Sequence, residues 1–177
     1  MSNLNKWNRW YRGLEEPESY GDTASYQMGA NFLANCESIQ DWGCGKGWFR
    51  RFVEPHAYIG IDGSQTPFAD VQVDLTEYRS KPEGIFMRHV LEHDYGWGAI
   101  LNNAIESFQK RMVLVIFTPF SPEGTDQIAF ADDPGVPDIS FKMSDLTDCF
   151  DGLAWSMKVI ESATQYGQET LFFLEKK

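Results

Sequence analysis

A glycine-rich segment that could bind a nucleotide-like ligand follows a short apolar run. The segment SIQDWGCGKGW, residues 38–48, contains an acid and three alternating glycines: Asp41, Gly43, Gly45 and Gly47. Glycine lets a backbone turn sharply and approach a ligand that any Cβ atom would obstruct. A dinucleotide-binding turn needs its last glycine at position 48, where this chain has Trp48. The segment therefore indicates a loop for a nucleoside-bearing ligand without a pyrophosphate.

Two further acids stand at the ends of the next two apolar runs. YIGID ends at Asp62 and VQVD ends at Asp74. A carboxylate can accept hydrogen bonds from two donors at once, and ligands of open parallel sheets lie beyond the carboxyl ends of the strands. We therefore expect both acids at the same edge of a sheet as the glycine-rich loop. Taken alone, Asp62 could be a turn residue at the strand end, and Asp74 is more typical of an Asx-turn or a solvated acid than of a ligand-binding residue.

Two histidines follow the fourth apolar run and are candidates for proton transfer. The segment GIFMRHVLEH places His89 and His93 at or just past a strand end. Histidine titrates near neutral pH and is the commonest general base. His93 is the preferred base, with Glu92 nearby, and His89 is the second candidate; either ring could instead have a structural role. His56 precedes the second run, at the opposite end of the sheet, and is expected to be structural.

Apolar runs alternate with helical or loop segments along the whole chain. The predicted strands are 38–42, 57–62, 69–74, 84–90, 111–118, 154–163 and 169–177, and the predicted helices are 3–14, 22–36, 97–109 and 144–153. This alternation predicts an α/β fold, a three-layer sandwich around a mostly parallel seven-stranded sheet. The last two runs are too close for a helical crossover, so they should form an antiparallel hairpin.

One half of this sheet is predicted to have reduced helices. Only GSQTPF separates the second run from the third, and only TEYRSKPE separates the third from the fourth. Neither segment holds more than about two turns at 3.6 residues each. We expect the exposed face to be covered by the N-terminal helix or by a second subunit, which makes a homodimer possible.

The chain is predicted to form a single domain, 1–177, with four functional parts. They are an N-terminal helical lid (1–36), a cofactor-binding core (37–118), a substrate-side insertion (119–143), and a C-terminal helix and hairpin (144–177). Tyr20 and Tyr26 flank Gly21 and are candidates for closing the lid over a ligand. Trp7, Trp10 and Tyr11 have helical spacing and are predicted to be a core stripe.

The predicted insertion is an irregular loop rich in Pro, Gly and Asp. It carries four aspartates, Asp126, Asp132, Asp133 and Asp138. Long loops inside compact domains are usually functional or mobile. These acids therefore either wall an acceptor pocket, where they would favour a polar or cationic acceptor, or form a solvated acidic loop.

Composition restricts the partners and the compartment. The net charge is −11, and the basic pairs Arg50–Arg51 and Lys110–Arg111 are typical of helix ends, so nucleic acid is not an expected partner. Three cysteines without CxxC spacing argue against disulfides and zinc and for a reducing compartment. The first residues lack a signal-peptide core, and no run reaches the ~20 apolar residues of a membrane span. We expect a cytoplasmic protein that does not bind membranes.

Together the four segments resemble class I S-adenosylmethionine-dependent methyltransferases, in particular members that act on small molecules. DWGCGKG is similar to motif I, and IFMRHVLEH is similar to the segment after strand four, which commonly ends in HVLEH. Asp62 stands where the family has an acid that accepts the ribose hydroxyls, and Asp74 where it has a polar residue near the adenine amino group. The resemblance covers residues 38–94, about a third of the chain.

The resemblance implies S-adenosyl-L-methionine as the cofactor, S-adenosyl-L-homocysteine as the product, and no metal. The implied cofactor-binding residues are Asp41, Gly43, Cys44, Gly45, Gly47, Asp62, Gly63, Asp74, Leu75, His89 and Tyr20. The implied catalytic residues are His93 and His89. Each of these roles is assigned to a residue because of its position within the matching segments of this sequence.

The acceptor is expected to be a small molecule or a glycan, methylated on a hydroxyl oxygen, with a carboxylate or an amine as the next candidates. The chain lacks the (N/D/S)PP(Y/F) tetrapeptide of enzymes that methylate the amino groups of bases, and neither Cys44 nor Cys149 follows the proline that a cytosine-modifying enzyme needs. Two alternatives stay open: a catalytically silent binding module with this fold, and a nicotinamide- or flavin-dependent oxidoreductase.

Overall fold

The computed structural model describes residues 4–130 and 136–177 and contains nine strands. They are β1 Ile39–Trp42, β2 Tyr58–Asp62, β3 Val71–Gln72, β4 Gly84–Arg88, β5 Arg111–Ile116, β6 Asp126–Phe130, β7 Pro137–Ser140, β8 Ala154–Glu161 and β9 Gln168–Glu175. The α-helices are α1 Leu4–Tyr11, α2 Ala24–Leu33, α3 Trp97–Ser107 and α4 Met143–Thr147, with 3₁₀ turns at Trp48–Arg51, Leu91–His93 and Asp148–Phe150.

Seven strands form one sheet in the order β3-β2-β1-β4-β5-β9-β8. The first five are parallel, and β9 is antiparallel to both β5 and β8. This confirms the predicted sheet and its C-terminal hairpin. From β1 the chain goes first to β2 and β3 on one side and then to β4 and β5 on the other. The glycine-rich loop after β1 and the HVLEH segment after β4 therefore meet at the switch point, where open α/β sheets bind ligands.

Helices cover both faces of the sheet because its central strands are apolar on both sides. All five residues of β4 are buried. Phe86 packs on the α2 face with Leu33, whereas Ile85 and Met87 pack on the α3 face with Leu101. The alternation of side chains along a strand thus supplies two cores, one on each face, as the continuous apolar run indicated.

The half of the sheet beyond β1 lacks its usual helices, as predicted. Residues 63–83, which are all described, contain only the two-residue strand β3, so the predicted strand 69–74 was too long. Ile59 and Val71 remain 40% and 37% exposed on this half. The helix α1 lies against the β2–β3 connection, where Asn8 Oδ1 accepts a hydrogen bond from Gln65 N at 2.6 Å.

Three predicted helices differ from the structure by more than two residues at an end, whereas the fourth, 97–109, differs by two. The first ends at Tyr11, near Gly13 in the left-handed region (φ 85°), and α2 begins after Thr23. Asp22, with which the predicted second helix began, lies before α2 and accepts a hydrogen bond from Ala163 N in the β8–β9 turn at 2.7 Å. The predicted helix 144–153 is the shorter α4 followed by a 3₁₀ turn.

The insertion contains a hairpin, so the prediction of an irregular loop was wrong. The strands β6 and β7 pair as a separate two-stranded sheet. Thr118 Oγ1 donates a hydrogen bond to Ile139 O at 2.7 Å, and Ser140 Oγ donates one to Pro119 O at 2.5 Å, so β7 is held beside the chain that leaves β5. Asp132 and Asp133 lie outside the described residues.

Glu92 fixes the HVLEH segment to the neighbouring strand. Its side chain is fully buried, and Oε1 accepts a hydrogen bond from Phe117 N, just past β5, at 2.7 Å. Oε2 accepts no hydrogen bond within the described residues. Burial raises the pKa of Glu92 to about 7. Glu92 is therefore a structural link between the chain after β4 and the chain after β5.

A glycine in α2 is required by packing, and its replacement tests that contact. An added Cβ at Gly29 would lie 2.4 Å from Phe86 Cε2, whereas one at Gly98 in α3 would meet nothing within 4 Å. We expect Gly29→Ala to lower the free energy of unfolding by about 1–3 kcal/mol through overpacking. Gly98→Ala, the matched control, should raise it by up to about 1 kcal/mol through helix propensity. Urea denaturation measures both; equal stabilisation by both changes would contradict the packing argument.

The buried carboxyl group of Glu92 predicts a pH dependence of stability. Because its folded pKa of about 7 lies above the ordinary value of 4.5, the folded state holds the proton more tightly. The free energy of unfolding of the wild type should therefore fall as the pH rises from about 4.5 to 7. The side chain of Glu92→Gln does not titrate, so the free energy of unfolding of this variant should not show the same fall. Relative to that of the wild type, it should rise by up to about 3 kcal/mol over that pH range.

Urea denaturation at several pH values measures this gain. Glu77→Gln replaces an exposed glutamate and serves as the control, which should follow the wild type at every pH. A constant difference between Glu92→Gln and the wild type across the pH range would show that Glu92 does not titrate as proposed.

Candidate active site

A cavity of about 600 Å³ lies beyond the carboxyl ends of β1, β2 and β4. It brings together most of the residues that the sequence indicated. Those that line it are Tyr20, Asp41, Gly43, Cys44, Asp62, Gly63, Asp74, Leu75, His89 and His93. Gly45 and Gly47 are in the same loop but not among the lining residues. His56 lies before β2, as predicted, and its side chain is exposed.

The three loop glycines are required by the backbone conformation and by neighbouring side chains. Gly43, Gly45 and Gly47 have φ values of 74°, 48° and 68°, which residues other than glycine rarely adopt. An added Cβ at Gly43 would lie 2.3 Å from Val90 Cγ2, and one at Gly47 would lie 2.6 Å from the Phe68 Cβ. The protein itself therefore packs closely against this loop.

The amide groups of the loop are hydrogen-bonded to the protein itself. Gly43 N and Cys44 N donate to Ile61 O at 2.8 and 3.0 Å, and Gly47 N donates to Cys44 O at 2.7 Å. Gly45 N donates to Asp62 Oδ2 at 2.8 Å. These four amides are thus satisfied before any ligand binds, and the loop is held in shape by β2.

Asp62 keeps only part of its capacity to accept hydrogen bonds. Its Oδ1 accepts from Ser64 N at 2.8 Å and from Ser64 Oγ at 2.5 Å, while Oδ2 accepts from Gly45 N. A carboxylate offers about four acceptor sites, so about one is left for a ligand. Asp74 lines the cavity as well, and its Oδ1 accepts from Thr76 N at 2.9 Å in an Asx-type turn.

Asp41 and Cys44 are buried at the base of the cavity. Tyr58 Oη donates a hydrogen bond to Asp41 Oδ2 at 3.0 Å, and burial raises the pKa of Asp41 to about 7. Burial also raises the pKa of the Cys44 thiol well above its usual range. The thiol therefore stays protonated at neutral pH and is a poor nucleophile.

The N-terminal segment lies across the cavity. Trp7, Trp10 and Tyr11 line it, so the prediction that they form only a core stripe was incomplete, and Trp10 is 49% exposed. Tyr20 Oη donates a hydrogen bond to Tyr11 Oη at 3.1 Å. Glu18 N also donates to the carbonyl oxygen of Lys46 at 3.2 Å, which attaches the segment to the glycine-rich loop.

Arg88, at the end of β4, joins the N-terminal segment to the sheet. Its guanidinium donates to Tyr20 O, Ser25 Oγ and Tyr26 Oη at 2.9–3.0 Å. Nη2 also lies 2.7 Å from Glu169 Oε1, and the two side chains are 4% and 0% exposed. The sequence signal for this residue was an arginine inside the apolar run IFMRHV, and its role was not predicted.

His89 is held as a neutral ring. It is the only non-glycine residue with a positive φ (56°) in the described part of the chain. Its Nε2 lies 2.7 Å from Glu169 Oε1; an ionised carboxylate accepts only, so Nε2 carries the proton. Burial and the charge of Arg88 lower the pKa of His89 to about 3. A ring with so low a pKa is a poor general base at neutral pH.

His93 has the geometry of an oriented base. Its Nδ1 lies 3.0 Å from Pro137 O, and because a carbonyl oxygen only accepts, Nδ1 carries the proton. In the neutral ring the lone pair is therefore on Nε2. Asp138 Oδ1 lies 3.3 Å from Nδ1, where it stabilises the ring once it is protonated. The ring centroid lies 5.3 Å from that of Trp7 and 5.4 Å from that of Phe117.

Asp138 and the β8–β9 turn form a further part of the site; the sequence offered Asp138 only as one of two alternatives and did not indicate the turn. Asp138 is 1% exposed, lines the cavity, and accepts a hydrogen bond from Tyr166 Oη through Oδ2 at 3.1 Å. Residues 163–165 of the turn line the same cavity. Asp138 was only one of four acids considered in the insertion, and no sequence pattern singled out the turn.

The described residues contain neither a metal-binding cluster nor a membrane-spanning helix. Their side chains bring no three His, Cys, Asp or Glu residues together in a way that would hold a metal ion. None of the helices within 4–130 and 136–177 has the length and apolar character needed to cross a membrane.

Comparison by sequence finds no matching protein family and no matching curated protein. Comparison by structure finds many solved proteins with the same fold. Magnesium protoporphyrin IX methyltransferase from Synechocystis PCC 6803, with bound S-adenosylhomocysteine, aligns with a TM-score of 0.65 at 15% identity, covering 99% of this chain and 96% of that one.

Two N-methyltransferases align similarly. The NodS enzyme of Bradyrhizobium japonicum WM9 has a TM-score of 0.67 at 12% identity, with 99% of each chain covered. The 1,6-didemethyltoxoflavin-N1-methyltransferase of Burkholderia thailandensis has a TM-score of 0.67 at 14% identity, covering 88% of this chain and 80% of that one. Both were crystallised with S-adenosylhomocysteine. With its strand order, its switch-point cavity and these neighbours, the chain has the fold of the class I S-adenosylmethionine-dependent methyltransferases.

Proposed function

We propose that the protein is an S-adenosylmethionine-dependent methyltransferase that acts on a small molecule. The observation that carries this proposal is the cavity at the switch point. It collects residues from the glycine-rich loop, the ends of β2 and β3, and the HVLEH segment, which are the four parts of the family resemblance. The solved neighbours that bind S-adenosylhomocysteine support the same cofactor here.

The residues present fit this cofactor. Asp41 and Asp62 offer carboxylates to the amino-acid end and the ribose, and Asp62 keeps about one acceptor site for a ribose hydroxyl. Tyr20, on the N-terminal segment, would cover the bound molecule. When bound, S-adenosylmethionine supplies a methyl group from a positively charged sulfur, and the carbon–sulfur bond breaks with both electrons left on sulfur.

The geometry of His93 favours a hydroxyl group as the acceptor. A hydroxyl must lose its proton as its oxygen takes the methyl group, so a base is useful. His93 Nε2 takes that proton, and the resulting imidazolium is stabilised by Asp138 Oδ1, 3.3 Å from Nδ1. His89 remains neutral beside Glu169 and positions the segment. An amine acceptor is the second candidate, because two solved neighbours are N-methyltransferases.

Isothermal titration with S-adenosylhomocysteine tests the cofactor proposal. Asp62→Ala should weaken binding about 10- to 100-fold, because it removes a buried acceptor and releases the Gly45 amide. Ser64→Ala is the matched control, since it keeps the carboxylate and frees an acceptor site on Oδ1, and should bind at least as tightly as the wild type. No binding by the wild type at millimolar ligand would leave a binding module with this fold as the alternative.

Acceptor screening with His93→Gln tests the proposed base. A panel of hydroxyl- and amine-bearing small molecules is incubated with S-adenosylmethionine, and S-adenosylhomocysteine is measured by mass spectrometry. For any accepted hydroxyl compound, the variant should lose at least about 100-fold in rate while its affinity for S-adenosylhomocysteine is unchanged. His56→Gln is the control and should keep the wild-type rate. An unchanged rate in His93→Gln would rule out this base.

A further inference from the structure

We infer that the acceptor carries a protonated amine that binds to Asp138. This inference rests on the proposed function, because it concerns the acceptor part of the same cavity. It specifies the charge of the acceptor, which the fold leaves open. The amine is a recognition group and does not have to be the atom that is methylated.

Within residues 4–130 and 136–177, no group donates a hydrogen bond to one of the two oxygens of Asp138. The side chain is 1% exposed and lines the cavity, and Oδ1 accepts no hydrogen bond within the described residues. His93 Nδ1 is 3.3 Å away, but its proton is directed to Pro137 O. Tyr166 satisfies only Oδ2. A buried carboxylate oxygen without a donor is costly, so a ligand that supplies an N–H group there gains affinity.

Arg88, one of the two lysine or arginine side chains that line the cavity, does not offer a matching site for an anion. Arg88 is paired with Glu169 and donates to three further groups, so its charge is already compensated. Lys6 lies with Nζ 5.1 Å from the Trp7 ring centroid, on the N-terminal helix. An acceptor that carries a carboxylate or phosphate would therefore find the charge of Arg88 already paired and would be repelled by the carboxylate of Asp138.

Aromatic rings near Asp138 suit a positively charged group. The Phe117 ring lies 5.7 Å from that of Tyr166, whose hydroxyl donates to Asp138. Ring faces attract cations, and the attraction grows when water is excluded. The net charge of −11 also raises the local concentration of cationic ligands. A protonated amine is favoured over a quaternary ammonium because only the amine supplies the missing N–H donor.

Binding of charge-matched probes tests this inference. Tyramine, 4-ethylphenol and 4-hydroxyphenylacetate share a phenol and differ in charge; glucosamine, glucose and glucuronate do so on a sugar. Their dissociation constants are measured by NMR titration with the protein saturated by S-adenosylhomocysteine. In at least one series the aminated probe should bind about tenfold or more tightly than the neutral one, and the anionic probe should bind most weakly.

Variants assign this preference to one carboxylate. Asp138→Asn should reduce the ratio between aminated and neutral probes to near one, with unchanged affinity for S-adenosylhomocysteine as the check on folding. Tyr166→Phe keeps the carboxylate and should keep the preference. Should Asp138→Asn fail to fold, the wild-type series alone decides.

Three results would overturn the inference: equal binding of neutral and aminated probes, a preference that persists in Asp138→Asn, or no binding of any aminated probe to protein that is saturated with S-adenosylhomocysteine. Failure to bind S-adenosylhomocysteine would instead contradict the proposed function.

Discussion

The buried ion pair between Arg88 and Glu169 is the interaction on which the rest of the site depends. A buried pair is tolerated only when its remaining donors and acceptors are satisfied. Arg88 meets this condition by donating to three groups of the N-terminal segment, namely Tyr20 O, Ser25 Oγ and Tyr26 Oη. Glu169 meets it only at Oε1, because its Oε2 accepts no hydrogen bond within the described residues. The pair therefore holds β4, β9 and the N-terminal segment together. The position of this segment across the cavity is fixed by the buried guanidinium of Arg88.

The same pair separates the roles of the two histidines. Burial alone would raise the pKa of Glu169. The hydrogen bond from His89 Nε2 and the charge of Arg88 outweigh this effect, so the pKa of Glu169 is lowered. His89 is thereby kept neutral in a left-handed backbone conformation. His93, four residues on, is oriented by a backbone carbonyl and lies beside Asp138 instead. Two rings of one short segment thus differ in tautomer because their partners differ.

The sequence predicted what depends on local pattern. Continuous apolar runs identified the strands of the main sheet, and the acids and glycines at their ends identified one edge of the cavity. It did not predict Arg88 with Glu169, which are separated by 81 residues, or Asp138 with Tyr166, which are separated by 28. Such pairs come from the position of β9 between β5 and β8, and no periodicity encodes that position. The hairpin of the insertion was missed because its Pro, Gly and Asp content is also typical of loops.

The hydrogen bonding of the glycine-rich loop changes how the cofactor must be held. Its amides at Gly43, Cys44, Gly45 and Gly47 already have acceptors within the protein, so they are not available as a ready cradle. Selectivity in this site must then come from side chains and from the shape of the cavity. Asp62 is central to both, because one carboxylate fixes the loop through Gly45 and faces the ligand with its remaining acceptor site. Binding and loop geometry are therefore coupled through a single residue, and a ligand that competes for Asp62 also acts on the conformation of the loop.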